Sequence, residues 1–376
     1  MVFTNSNYLS KELGDVIDLK YGKGLPKRTR IEGEVPVYGS GGVVGSHNEA
    51  LVKGPGIVIG RKGSIGTIFY EKRDFYPIDT VFYVQLKSNQ LDIFFLSKAL
   101  EQIGLSKLNS DAAVPGLNRD IALSQKIPYP PLPTQRKIAA VLSAYDDLIE
   151  NNLRRIQILE EMAQNLYREW FVKFRFPGHE TARFVDSPLG PIPEGWEVKK
   201  LGVVADVKWG DTSTTKQAYV DSGYLAYSAS GPDGQLDHYD YDRDGIVLSA
   251  IGANCGHTWF TKGKWSCIKN TIRFWAIDQK VTTTYLYFAT LGRDIWPKRG
   301  AAQPFISQGD AQGVSIIVPE KNIGNEFTLI VELMFDQILN NVNKNGILRR
   351  TRDLLLPRLV SGEVDVSELE IEVKEG

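Results

Sequence analysis

The chain repeats itself. Leu13-Gly14-Asp15-Val16-Ile17-Asp18 returns as Leu201-Gly202-Val203-Val204-Ala205-Asp206, 188 residues further on. Gly56-Ile57-Val58-Ile59 returns as Gly245-Ile246-Val247-Leu248, Gly66 matches Gly256, Asp120 matches Asp310, and Asn151-Asn152 matches Asn340-Asn341. Every offset lies between 188 and 191, so the 376 residues hold two copies of one unit. Two copies argue against a solenoid, whose stacking needs three or more. They predict a pseudo-twofold internal repeat, like a dimer fused into one chain.

Each copy has two parts. The first is rich in glycine, aromatic and β-branched residues, in short runs such as Val35-Pro36-Val37-Tyr38, Thr80-Val81-Phe82-Tyr83-Val84 and Thr271-Ile272-Arg273-Phe274-Trp275. Loops with Gly, Asp and Asn separate these runs, which therefore read as strands. Helical spacing appears at 91–103 and 284–291. The second part is one long helix. Residues 135–171 contain neither proline nor glycine, and Ile138, Tyr145, Asn152, Leu159 and Leu166 recur in sevens, with Val141, Leu148 and Met162 between them. The second copy repeats the sevens at Phe327, Met334, Asn341, Leu348 and Leu355. A heptad stripe of about 35 residues, roughly 50 Å long, predicts a coiled coil. Asn152 and Asn341 take the same position in the two heptads, a polar choice that fixes register. The expected fold is α+β: two globular, mostly β domains separated by two long antiparallel coiled-coil helices. Its expected boundaries are 1–133, 134–176, 177–319 and 320–376.

The run "GIVIGRKGSIG", 56–66, looks like a phosphate loop. A phosphate loop places lysine directly after its last glycine and a helix behind it. Here no lysine follows Gly63 or Gly66, and Thr67-Ile68-Phe69-Tyr70 reads as a strand. The expectation is a strand–turn–strand with Arg61, Lys62 and Ser64 at the tip, its glycines letting the backbone approach a ligand.

Catalytic signatures are sparse. None of His47, His179, His238 and His257 adjoins a nucleophile motif. Cys255, His257 and Cys267 lack the tight pairs of a structural zinc site, so no metal is expected. The nearest match to a methyltransferase motif is Tyr129-Pro130-Pro131-Leu132, wrong on both flanks. Glu372-Val373-Lys374 lies in an acidic tail that reads as a solvated end. With two cysteines, no signal-peptide layout at Met1–Asn5 and no apolar run of about 20 residues, the chain reads as cytoplasmic, with no membrane partner.

Recognition by the globules is the remaining chemistry. Between Lys20 and Arg73 there are ten basic and four acidic residues, a local +6 in a chain of net charge -1. Basic loops among Gly, Ser, Asn and aromatics suit phosphate contact and base reading. The second copy's turn reads Ala250-Ile251-Gly252-Ala253-Asn254-Cys255-Gly256: a similar frame with different tips, as two different half-sites require.

"PPLPTQRKIAAVLSAYDDLIE" (130–150) resembles the hinge and long helix of type I restriction–modification specificity subunits (HsdS). "LEEMAQNLYREWFVKF" (159–174), "IPEGWEVKKLGVVADVKWG" (192–210) and "LLLPRLVSGEVDV" (354–366) resemble further segments of that family. "GRKGSIG" and "VPGLN" (114–118) resemble its recognition-domain turns. The second hinge, Ile317-Val318-Pro319-Glu320, lacks the Pro-Pro-Leu-Pro and Gln-Arg of the first. The resemblance implies a non-catalytic DNA sequence-specificity subunit. Each globule would be a target-recognition domain reading one half of a bipartite, asymmetric double-stranded DNA target. The helices would set the spacer and dock two modification subunits, which bind S-adenosylmethionine. Restriction subunits would add ATP and Mg, and this chain itself would bind no cofactor. The DNA-binding residues expected are Lys20, Lys23, Lys27, Arg28, Arg61, Lys62, Ser64, Asn118, Lys208, Asn254 and His257. The alternatives are a stand-alone S-adenosylmethionine-dependent DNA methyltransferase and a coiled-coil scaffold.

Overall fold

The two copies share one plan, to which the second adds the short strand Tyr241–Asp242 and the ribbon Phe184–Val185 with Ile192–Pro193. In the first, the strands Ile17–Tyr21, Val81–Leu86, Gly56–Gly60 and Ile68–Glu71 form one antiparallel sheet in that order. In the second, Ala205–Trp209, Thr271–Ala276, Gly245–Ser249 and Thr258–Thr261 repeat it. A smaller sheet centred on Val35–Gly39 has its counterpart around Tyr224–Ser228. The ribbon of Leu9–Glu12 with Lys126–Tyr129 is matched by Glu197–Lys200 with Ser315–Val318. This computed structural model describes residues 8–108, 116–300 and 302–371. Met1–Asn5, Val114-Pro115 of the "VPGLN" run and Glu372-Val373-Lys374 lie outside the described residues.

The apolar runs explain the layering. All five residues of Gly56–Gly60 are buried, because both faces of the strand are covered. Ile57 and Ile59 pack on Phe95, Leu96 and Leu100 of the helix Ile93–Ile103, while Val58, pointing the other way, meets Tyr38, Phe75 and Val81. Asp92 caps that helix by accepting from Phe95 N at 2.8 Å, and Gly104, at φ +71°, ends it. In the second copy Ile246 and Leu248 face the helix-side core and Val247 the inter-sheet core.

By contacts the chain divides into two units, Met1–Asn152 with Asn343–Gly376, and Leu153–Val342. The division falls inside the long helices, Leu132–Tyr167 and Lys321–Ser361, so each unit owns a β globule and part of both helices. In the first unit the helices run antiparallel: Lys137 reaches Ser367 O, Asp146 pairs with Arg352 at 2.6 Å, and Asn152 donates to Asn345 Oδ1 at 2.9 Å.

The seam differs in detail from a plain repeat of sevens. The row four residues after each heptad position, Leu142, Ile149, Ile156 and Ala163, is buried or half-buried throughout, whereas of the three apolar residues expected between the sevens only Val141 is half-buried. Leu148 and Met162 instead face solvent, 51% and 49% exposed. Rows three and four residues on both flank a heptad row, and one helix with apolar residues on both flanks does not reveal which row meets its partner. Asn152 bonds to Asn345, whose amide also reaches Ile149 O, and Asn341 is buried in the other unit. Finally, the α-helix stops at Tyr167, and a π-turn, Arg168–Val172, carries Trp170 and Phe171 into the core.

The hinges into the two helices differ, as their sequences do. At the first, Gln135 is fully buried; its amide accepts from Asp92 N at 2.8 Å and donates to Pro130 O at 2.8 Å. The second has no such glutamine. There Tyr285 donates to Ile317 O at 2.6 Å and Thr282 bonds Thr328 at 2.7 Å.

Candidate nucleic-acid interface

At one end of the first unit's sheet, four stretches meet. They are the end of Ile17–Tyr21, the turn at Ser40-Gly41, the turn after Gly56–Gly60, and Asp79-Thr80. Arg61 N and Lys62 N both donate to Thr80 O, Thr67 Oγ1 donates to Ser40 O, and Leu117 N donates to Arg61 O. The expected strand–turn–strand is present, with strands Gly56–Gly60 and Ile68–Glu71.

Two of its glycines are required by the fold itself. A β-carbon on Gly60 would lie 2.0 Å from Ser64 O, and one on Gly66, at φ +68°, 2.2 Å from Ser106 N. Gly66→Ala is expected to cost about 2–4 kcal/mol, combining a left-handed backbone with a clash against main chain. Gly41→Ala, with no atom nearer than 3.9 Å, should stay within about 0.5 kcal/mol. Urea unfolding of both variants checks this; equal midpoints would contradict it.

The expected cations divide by environment. Lys23, Lys27, Arg28 and Lys62 are exposed, and none has a carboxylate partner among the described residues. Arg61 is different. Its guanidinium lies over Tyr21, 5.2 Å from the ring centroid, and donates to Asp79 O at 2.7 Å, so it packs the turn rather than tipping it. Lys72 and Arg73 are tied to Asp147 and Glu71, which reduces the free charge of the +6 stretch. Ser64 is exposed on the turn. Asn118 is exposed, but its carbonyl caps the helix Arg119–Leu123, accepting from Asp120 N and Ile121 N.

Lys20 and Lys208 sit at matching positions in matching company. Lys20 pairs with Asp18 at 2.6 Å, and Asp18 also binds Arg119. Lys208 pairs with Asp206 at 3.4 Å, and Asp206 binds Arg273 at 2.7 Å. The Lys20 ammonium, with Arg119 behind it, holds Asp18 below the usual carboxylate range. Burial pushes Asp206 upward, but Arg273 and Lys208 outweigh it and hold it low.

In the second unit Asn254 is exposed on the turn and His257 stacks on Trp259, ring centroids 4.7 Å apart. Cys255 is buried in the helix-side core and Cys267 in the inter-sheet core, where burial pushes its thiol up to about 12. Among the described residues no three His, Cys, Asp or Glu side chains are grouped to hold a metal ion, and no helix is long and apolar enough to cross a membrane. Sequence reading missed Arg293, Lys298 and Lys269. The first two follow the stretch where the repeat could be traced turn by turn; Lys269 lies next to Asn270, whose carbonyl receives the turn's Ala250 N–H.

Comparison with known proteins agrees with this picture. The family model described as "Type I restriction modification DNA specificity domain" matches twice, over 5–161 and 193–347. The MjaIX type I restriction enzyme specificity subunit of Methanocaldococcus jannaschii is 27% identical over 307 residues, covering 75% of this chain and 70% of that protein. The HindI specificity subunit of Haemophilus influenzae is 23% identical, covering 66% of this chain and 71% of its own length. The crystal structure of a type I restriction–modification S subunit from M. genitalium shares the fold, with TM-score 0.68, 17% identity, and 96% and 98% of the two chains covered.

Proposed function

The chain belongs to the type I restriction–modification DNA specificity family and is a specificity subunit of such a system, and from that premise we propose that each β-rich unit reads one half of a bipartite, asymmetric double-stranded DNA target. The helices set the unread gap and dock two modification subunits. Those subunits carry S-adenosylmethionine and methylate the target; restriction subunits with ATP and Mg complete the nuclease. This chain acts in the cytoplasm and contributes recognition alone, so the purified chain is expected to transfer no methyl group.

One observation carries the reading. Lys23 and Lys62 are exposed at the turn-bearing end of the first sheet, Lys27 and Arg28 are exposed in the segment that follows Lys23, and all four are free of carboxylates among the described residues. Unpaired cations on a rigid edge suit phosphates, whose neutralisation releases counterions. Lys23→Ala with Lys62→Ala is expected to lower the slope of log affinity against log salt by about 0.9 per charge while sparing sequence preference. Titration of the assembled complex with salt measures it. Unchanged affinity and slope would remove this end of the unit from the DNA interface.

A further inference from the structure

The second unit is charged unlike the first. Its stretch from Lys208 to Gly263, matching Lys20 to Arg73, holds four basic and seven acidic residues, -3 against +6. Its turn, 250–257, contains no lysine or arginine. A different segment brings side chains to this end. Ile306 N donates to Ala250 O at 2.8 Å and Gly252 N to Pro304 O at 3.0 Å. The Arg293 guanidinium donates to Ala253 O at 2.9 Å and Cys255 O at 3.2 Å. The segment then closes as a hairpin, with Arg299 and Phe305 exchanging backbone bonds of 2.9 Å.

Within this segment the arginines are committed, Arg293 to the turn and Arg299 to Asp310 at 2.5 Å. Of the polar side chains that are not, two belong to the hairpin. Lys298 is exposed and passes over Gly256, where a β-carbon would come within 3.0 Å of its Cε; it has no carboxylate partner among the described residues. Gln303 is exposed beyond the hairpin's closing pair, and its amide makes no hydrogen bond among the described residues.

We infer that in the second unit this hairpin joins the turn in reading DNA: Gln303 reads a base edge and Lys298 holds a neighbouring phosphate. A glutamine amide offers one acceptor and one donor, matching adenine N6 and N7 in the major groove. A lysine supplies a point charge without sequence information. The inference rests on the function proposed above and assigns it to residues.

The full chain, assembled with its modification subunits, is offered duplexes randomised over both half-sites. Gln303→Ala is expected to lose about tenfold discrimination at one base pair of the second half-site and leave the first half-site intact. Gln303→Glu, acceptor only, should turn that position toward cytosine, whose N4 donates. Lys298→Ala should weaken all duplexes alike and reduce the salt slope by about 1. A bipartite motif that both Gln303 variants leave unchanged overturns the inference while sparing the proposed function. A wild-type complex that selects no motif overturns both.

Discussion

Replacing residues 197–318 with the matching stretch of another specificity subunit is expected to exchange one half-site completely and leave the other untouched. The structure sets the junctions. A junction inside the globule, for example at Gly210, would pair the strand Ala205–Trp209 with a Thr271–Ala276 strand from another protein, and would mix the ribbon Glu197–Lys200 with Ser315–Val318 in the same way. Cutting before Glu197 and after Val318 carries across whole every strand pair that begins at or after Glu197, and leaves the ribbon Phe184–Val185 with Ile192–Pro193 behind, also whole. What stays behind is the aromatic floor: Phe171 lies 4.9 Å from Tyr285, and Phe327 lies 5.5 Å from Phe288, ring to ring. A donor that supplies aromatics at those two positions should therefore seat without leaving a cavity, whose cost for a lost phenylalanine is about 3–5 kcal/mol. Specific binding exceeds non-specific binding by about a thousandfold or more, so the old half-site should fall by at least that factor. Mapping methylated motifs in cells carrying the chimera and its modification subunit reads the result. A change in both half-sites would show that the units do not read independently.

Much of this fold was legible because the repeat is written in residues that the scaffold needs. Gly56–Gly60 and Gly245–Ser249 are buried on both faces, so their sequences are nearly apolar throughout and stand out. The long helices announced themselves through the recurrence of sevens. What remained hidden depends on a partner surface. Leu148 and Leu142 are equally apolar, and only the folded surroundings decide that Leu142 is buried and Leu148 is not. Asn345 is one asparagine among several until its amide is found against Asn152.

The interface was legible only in part, for a related reason. Charge could be counted along the sequence, but pairing could not. Arg61 reads as a free tip and is instead laid over Tyr21, while Asn118 reads as a contact and is first a helix cap. In the second copy the cations near the turn come from 40 residues further along, through Arg293 and its bond to Ala253 O. No spacing rule along the chain joins those two segments; the β-sheet does.

Lengthening both long helices by four residues, after Asn152 and before Asn343, is expected to widen the unread gap by one or two base pairs and keep both half-sites. Both insertions leave the Asn152–Asn345 bond on the same side of the break, so the first unit keeps its register. Four residues add about 6 Å and turn the far end by about 40° beyond a full turn. Along DNA, 6 Å is just under two base pairs at about 3.4 Å each. Two base pairs rotate the far half-site by about 70°, given 10–10.5 base pairs per turn. The residual of about 30° is small enough for the coiled coil to absorb as a stutter, by local unwinding. Seven residues make a stricter trial, because they preserve the heptad seam perfectly. They add about 10.5 Å, or three base pairs, but the far end lags two full turns by only about 20°. The DNA meanwhile has rotated by about 100°, so the second half-site faces away from its reader. Seven residues should therefore abolish bipartite recognition where four merely shift it, although seven are the gentler change to the helices. Motif mapping for the two insertions distinguishes them. If both insertions keep the original gap, the helices are not the ruler, and the two units are placed on DNA by contacts elsewhere.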